Sequence, residues 1–209
     1  MEDALDMVIT PDRPVAAPPD VLSRLAGRAR DGDRQALDSL LRACSDDLLR
    51  VCTRLLGDRE DGKEAVQEAF VRICRGLPSY DPRRPPRPWL MQVAARAARD
   101  CRRRRTSRLL RVVPSAVASD RLADGRVGPE SAASARQARS SLKAGLAILT
   151  PRERDAFVLR ELEGMDTAAV ARLLGCRQTT VRGYCLTARR RLQGWLRKNH
   201  PELLPEGSP

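Results

Sequence analysis

Aromatic residues make up only 3% of the 209-residue chain: two Trp, two Tyr and two Phe. So thin a supply leaves any core to Leu, Val and Ala, which suits packed helices better than a sheet sandwich. Histidine occurs once, at His200, and the six cysteines at 44, 52, 74, 101, 176 and 185 form no C-x-x-C pair. That spacing argues against a structural zinc site. The thiols are expected to be buried small hydrophobes, notably Cys74 and Cys101, which fall on apolar helical stripes. No apolar run approaches the ~18 residues of a membrane span, and Met1-Glu2-Asp3 does not open a secretory signal. A cytoplasmic location without membrane insertion is therefore expected. There is no Gly-rich phosphate loop, and one histidine near the end is poor material for general-base chemistry. Neither enzymatic activity nor a metal or cofactor is expected.

Lysine is also scarce, at three positions, so arginine supplies 36 of the 39 basic residues, against 27 acids and a net charge of +12. The charge is unevenly placed. Residues 1–82 carry 12 basic and 16 acidic groups, whereas 83–111 carry 11 arginines and the single acid Asp100. Residues 112–141 are nearly neutral, and 142–209 carry 12 basic against 7 acidic groups. Two basic zones of this kind suit a polyanionic partner. The neutral stretch is rich in Ser, Ala, Gly and Pro and cannot bury enough apolar surface to fold alone. We divide the chain into a disordered arm at 1–19, a first helical domain at 20–106, a linker at 107–141, a second helical domain at 142–198 and a tail at 199–209. The last dozen residues of the neutral stretch, 131–142, are good helix formers that could open the second domain's first helix.

In the first domain, Asp20 precedes a helical set of Val21, Leu22, Leu25, Ala26 and Ala29. Asp33 is placed to cap a second helix bearing Ala36, Leu37, Leu40 and Leu41. Asp58 is placed to cap a third, with Ala65, Val66, Ala69, Phe70, Ile73 and Cys74 on its stripe and Pro78 ending it. The prolines between Pro82 and Pro88 predict a loop, since each lacks an amide hydrogen and restricts its predecessor. From Trp89 to Cys101 a further helix sets Leu90, Val93, Ala94, Ala97 and Ala98 toward the core. Its opposite side aligns Gln92, Arg96, Arg99 and Arg103. That row suits phosphate binding, because guanidinium groups are planar and always charged; the plain alternative is a solvated basic face.

In the second domain, Thr150-Pro151-Arg152-Glu153 spells a capping box with proline at the first helical position. Asp166 to Leu174 forms the next helix, Gly175 turns the chain, and Arg177 to Arg191 forms a third helix anchored by Val181, Cys185, Ala188 and Leu192. Small Ala171, the Gly175 turn and apolar Val181 together spell a helix-turn-helix. The third helix presents Arg177, Gln178, Thr179, Thr180, Arg182 and Tyr184, able to reach base edges, with Arg189 nearer the backbone. The plain alternative is a three-helix bundle with a wet polar face.

These motifs, in this order, resemble a bacterial RNA polymerase sigma factor of the extracytoplasmic-function type. The resemblance rests on Leu55 to Asp61, Val66-Gln67-Glu68-Ala69-Phe70, Tyr80-Asp81-Pro82, Trp89-Leu90 and Asp100 to Arg105 in the first part. In the second part it rests on Leu149 to Arg154, Leu159-Arg160-Glu161, Ala171, Leu174-Gly175, Thr180-Val181 and Ala188-Arg189. It covers residues 21–106 and 142–197. The resemblance implies an all-α, two-domain alternative sigma factor that binds core RNA polymerase, recognises and melts promoter DNA, and could be held by an anti-sigma factor. Polymerase binding would fall to Asp58, Asp61, Gln67, Glu68 and Arg72. The −10 element would fall to Ser79, Tyr80, Arg87, Trp89, Gln92, Arg96, Arg99 and Arg103, with Trp89 weighed more as core than as stacking platform. The −35 element would fall to the helix from Arg177. A second reading is a stand-alone dimeric helix-turn-helix regulator that recognises palindromic sites.

Overall fold

The computed structural model of the chain describes residues 18–111 and 140–200, and its regular structure there is entirely helical. The expected arm, most of the linker and the tail therefore lie outside the described residues.

The first module begins with α1 (Pro19–Arg30), which starts on a proline and carries Asp20 in its first turn, where the helix dipole favours an acid. Asp33 caps α2 (Arg34–Leu56) as expected, accepting from the Ala36 amide at 3.0 Å. Asp58 caps α3 (Arg59–Gly76), accepting from the amides of Glu60 and Asp61 at 2.9 Å each. A 3-10 turn at Leu77–Ser79 follows. Helices α2 and α3 cross so closely that a β-carbon at Gly62 would stand 2.6 Å from Thr53 Oγ1 and 3.2 Å from the Thr53 backbone. Only glycine fits there.

The proline loop is shorter than the sequence suggests. Helix α4 runs Pro86–Arg111, so Pro86, Arg87 and Pro88 form its first turn. The first amides of a helix have no intrahelical acceptor, so proline costs nothing at those positions. The helix also continues past 106, into the expected linker. It is the axis of the module, packed on α1, α2 and α3 and, from the second module, on the first helix of the helix-turn-helix. This central position explains its run of alanines. Ala94, Ala95, Ala97 and Ala98 are fully buried, as is Met91, so the buried face is wider than the simple stripe that omits Met91 and Ala95. Leu40, Leu48, Leu55, Ile73 and Leu90 complete the core.

The second module opens with α5, residues 140–147. The Thr150–Glu153 capping box forms in both directions and starts α6 (Pro151–Phe157), which passes into a π-helical segment, Val158–Leu162. Asp166 caps α7 (Thr167–Leu174), and Gly175, at φ 65°, makes the left-handed turn. Helix α8 (Gln178–Asn199) runs eight residues past Arg191, where the expected helix ends. Its extra turns are fastened to α5: a β-carbon at Gly145 would lie 3.1 Å from Leu192 Cδ2, and Ser141 Oγ is 3.0 Å from His200 Nε2.

Four thiols, Cys44, Cys52, Cys101 and Cys185, are buried as expected; Cys176 is half-buried. Cys74 is exposed, because the α3 stripe is already half-open at Phe70 and Cys74 lies beyond its edge. Burial pushes Cys44 and Cys52 up to about 12 and Cys185 up to about 11. Since the thiolate is the nucleophile, iodoacetamide at pH 8 is expected to modify Cys74 first and Cys44 and Cys52 only in denaturant. Peptide mass spectrometry over a time course checks this; early modification of Cys52 would contradict the packing.

Candidate nucleic-acid interface

The helix-turn-helix is built as its sequence requires. Ala171 and Val181 are buried at the α7–α8 crossing, and Arg152 Nη1 donates to the Leu174 carbonyl at 2.5 Å, tying α6 to the end of α7. This leaves Arg177, Gln178, Thr179 and Arg182 exposed at the start of α8, with Thr180 and Tyr184 half-buried beside them. Arg189 is committed elsewhere, donating to Glu161 Oε2 at 2.7 Å, and so braces α8 against the π-helical segment. Arg191 similarly reaches Glu153 Oε2 at 3.0 Å. A helix with exposed Arg, Gln and Thr in its first turns, held rigidly by two neighbours, is suited to a DNA major groove.

The row on α4 is less uniform than its spacing suggests. Arg96 and Arg103 are exposed and Gln92 is half-buried. Arg99, expected on the open side, instead donates from Nη1 to the Leu173 carbonyl of α7. Arg87 also turns to the second module: its Nη2 lies 3.3 Å from Glu163 Oε2 and its Nη1 donates to the Glu163 carbonyl at 3.5 Å.

Ser79 is exposed, its hydroxyl donating to the Gly76 carbonyl at 2.8 Å. Tyr80 does not present its ring. It is buried, its hydroxyl donates to the Arg84 carbonyl, and its ring lies on Trp89 with centroids 5.1 Å apart. Trp89 in turn lies near Gly76, whose added β-carbon would be 3.3 Å from its ring. The two aromatics therefore lock the loop to α4, in a chain with few other aromatics to do so.

Asp58 holds the helix start, Asp61 binds Arg105, Gln67 is exposed, and Arg72 joins Glu68 and Asp100 at 2.8 Å each.

Sequence reasoning missed a polar seam between the modules. Glu163, its side chain 1% exposed, lies 3.0 Å from Arg54 Nη1 and 3.6 Å from Arg50 Nη2. Asp155, 3% exposed, is held by Arg102 through two hydrogen bonds, at 2.7 and 3.2 Å, while Arg102 also donates to the Leu55 carbonyl. Burial and the neighbouring Arg102 push the guanidinium of Arg154 below its ordinary value. Nothing local singled them out in the sequence, because Arg152, Glu153, Arg154, Arg160 and Glu161 stand beside them and make Asp155 and Glu163 look like ordinary surface charges. Among the described residues no group of three or more His, Cys, Asp or Glu could hold a metal, and no helix is long and apolar enough to cross a membrane.

Two family models match the chain: Sigma-70 region 2 over residues 40–108 and Sigma-70, region 4 over residues 139–192. The ECF RNA polymerase sigma factor SigE of Mycolicibacterium smegmatis is 29% identical over 174 residues, 82% of this chain and 66% of that protein. The RNA polymerase sigma factor CnrH of Cupriavidus metallidurans is 30% identical over 184 residues, 86% of this chain and 96% of that one. Among solved structures, CnrH in complex with the cytosolic domain of CnrY shares the fold at TM-score 0.57 and 24% identity, covering 86% of this chain and 99% of that one. The sigma factor RpoE in complex with the anti-sigma factor NepR from Bartonella quintana does so at TM-score 0.56 and 20% identity, covering 80% and 98%.

Proposed function

We propose, from the fact that this chain belongs to the extracytoplasmic-function type of RNA polymerase sigma factor, that its two basic surfaces divide the work of starting transcription. The chain acts with core RNA polymerase as an alternative sigma factor and performs no covalent step itself. The first module, residues 20–106, docks on polymerase through Asp58, Asp61, Gln67, Glu68 and Arg72. Its loop and α4 surface, with Ser79, Arg87, Gln92, Arg96, Arg99 and Arg103, hold the melted −10 strand. Trp89 serves this surface by holding the loop. The second module, residues 142–198, reads the −35 element through Arg177, Gln178, Thr179, Thr180, Arg182 and Tyr184, with Arg189 as a brace. The work is cytoplasmic. Two structural relatives are held by protein partners, CnrY and NepR, which supports a protein inhibitor for this chain as well.

The observation that carries the division is the exposed guanidinium pair of Arg96 and Arg103 on one helix and the exposed Arg-Gln-Thr start of α8 on another. Single strands are gripped by cationic grooves, duplex base edges by a helix in the major groove. Arg96→Ala is expected to lower open-complex yield severalfold while the protein still co-elutes with core polymerase. A permanganate footprint of the −10 region reads the first quantity and gel filtration the second. An unchanged footprint would remove Arg96 from the melting surface.

A further inference from the structure

We propose that the cleft between α3 and the C-terminal half of α4 is a binding site for a compact polyphosphate, a soluble anion carrying two or more linked phosphate groups. The two basic surfaces described above do not account for this cleft, since Arg103 alone among its residues belongs to the row on α4 and none belongs to α8.

A concavity of about 440 Å³ opens there, lined by Arg72 from α3 and by Asp100, Arg103, Arg104, Ser107 and Arg108 from α4. Its volume falls within the range of small-ligand sites. Positions 100, 104, 107 and 108 recur at helical spacing, so α4 turns one face toward Arg72. Four guanidinium groups thereby meet a single lining carboxylate. Arg104 and Arg108 stand four residues apart on one helix, a spacing at which like charges repel. Arg104 has an acid nearby, Glu64 Oε1 at 3.6 Å, whereas Arg103 and Arg108 are exposed and meet none among the described residues. An anion seated among them offsets that repulsion.

Arg72 is already oriented for such a ligand. Its Nε donates to Glu68 and its Nη1 to Asp100, each at 2.8 Å, while its Nη2 has no acceptor among the described residues. A guanidinium carries five N–H donors, so one fixed by two carboxylates retains donors for a phosphate. Bidentate pairing uses two oxygens per guanidinium, and a lone phosphate monoester offers three, so engaging several arginines at once calls for linked phosphates. The acids on α3 set the upper size. Asp61, Glu64 and Glu68 follow the same face of α3 as Arg72 and reach α4 through Arg105, Arg104 and Arg72. A nucleic-acid backbone laid along the cleft would pass these carboxylates, whereas a diphosphate reaches the arginines without doing so.

The test is isothermal titration calorimetry of the full chain with inorganic pyrophosphate, ADP, AMP and orthophosphate, in the absence of polymerase and promoter. Pyrophosphate and ADP are expected to bind on the order of tenfold more tightly than AMP and orthophosphate. Equal affinity for the first two assigns recognition to the diphosphate alone, and tighter ADP binding adds a contact to the nucleoside. Arg104→Ala and Arg108→Ala, with helicity checked by circular dichroism, are each expected to weaken pyrophosphate on the order of tenfold. Arg34→Ala removes the same charge from an exposed site on α2 and is expected to change it less than about twofold. No binding of pyrophosphate by the wild-type chain, or an equal loss in Arg34→Ala, would overturn the site. A short DNA duplex that loses affinity in Arg104→Ala and Arg108→Ala while pyrophosphate does not would overturn the soluble ligand and give the cleft to a DNA backbone.

Discussion

Replacing Phe157 by alanine is expected to remove about 3–5 kcal/mol from the stability of the second module. The side chain is fully buried and is the largest that is so among the described residues. It sits at the last α-helical residue before the chain turns π-helical, in the element that packs most closely on α8. A domain typically holds about 5–15 kcal/mol in all, so this one truncation is expected to leave the helix-turn-helix largely unfolded at 37 °C and α8 unable to bind DNA. Urea denaturation followed by helicity measures the loss; a change below about 1 kcal/mol would contradict the packing described.

The second large effect falls on recognition rather than stability. Arg182→Ala is expected to cost holoenzyme about 1–3 kcal/mol on its preferred −35 element and to relax selection at one base position. Arg182 is exposed one turn into α8, where a recognition helix meets base edges, and its removal breaks no bond of the core. Arg190, exposed two turns further on, is expected to act on phosphate, so its loss weakens binding evenly across sequences. Competition among −35 boxes mutated at each position separates the two. An Arg182→Ala holoenzyme with unaltered base preference would take that residue out of the readout.

Much of the local architecture is legible in the chain because its signals are short-range. Asp33, Asp58, Asp166 and the Thr150–Glu153 box each announce a helix start within three residues, and Gly175 announces the turn that orients α8. Where the reading went astray, a local rule met a wider context. The prolines at 86 and 88 read as loop, yet the first turn of a helix tolerates them. Cys74 continues a stripe on paper, but the partner surface ends before it. Arg99 follows the exposed face of α4 by spacing, yet that face is only exposed until a second module is laid on it.

The seam was the least legible feature. Arg54 and Glu163 are 109 residues apart, and no periodicity relates them. Their pairing depends on how the two modules meet, which neither module's own pattern encodes. It also changes what the candidate site means. By spacing, Gln92, Arg96, Arg99 and Arg103 are one row. In the structure Arg96 and Arg103 are exposed, Gln92 is half-buried, and Arg99 donates to the Leu173 carbonyl of the second module.

The central claim, that this chain confers promoter-specific initiation on RNA polymerase, is tested most directly by reconstituted transcription. Purified protein is mixed with sigma-free bacterial core enzyme on fragmented genomic DNA, and transcript start sites are mapped by sequencing. Discrete starts preceded by a two-box motif at fixed spacing, absent when the protein is omitted, are expected. No starts, together with palindromic DNA retained by the protein in the absence of polymerase, would contradict it and point instead to a dimeric regulator.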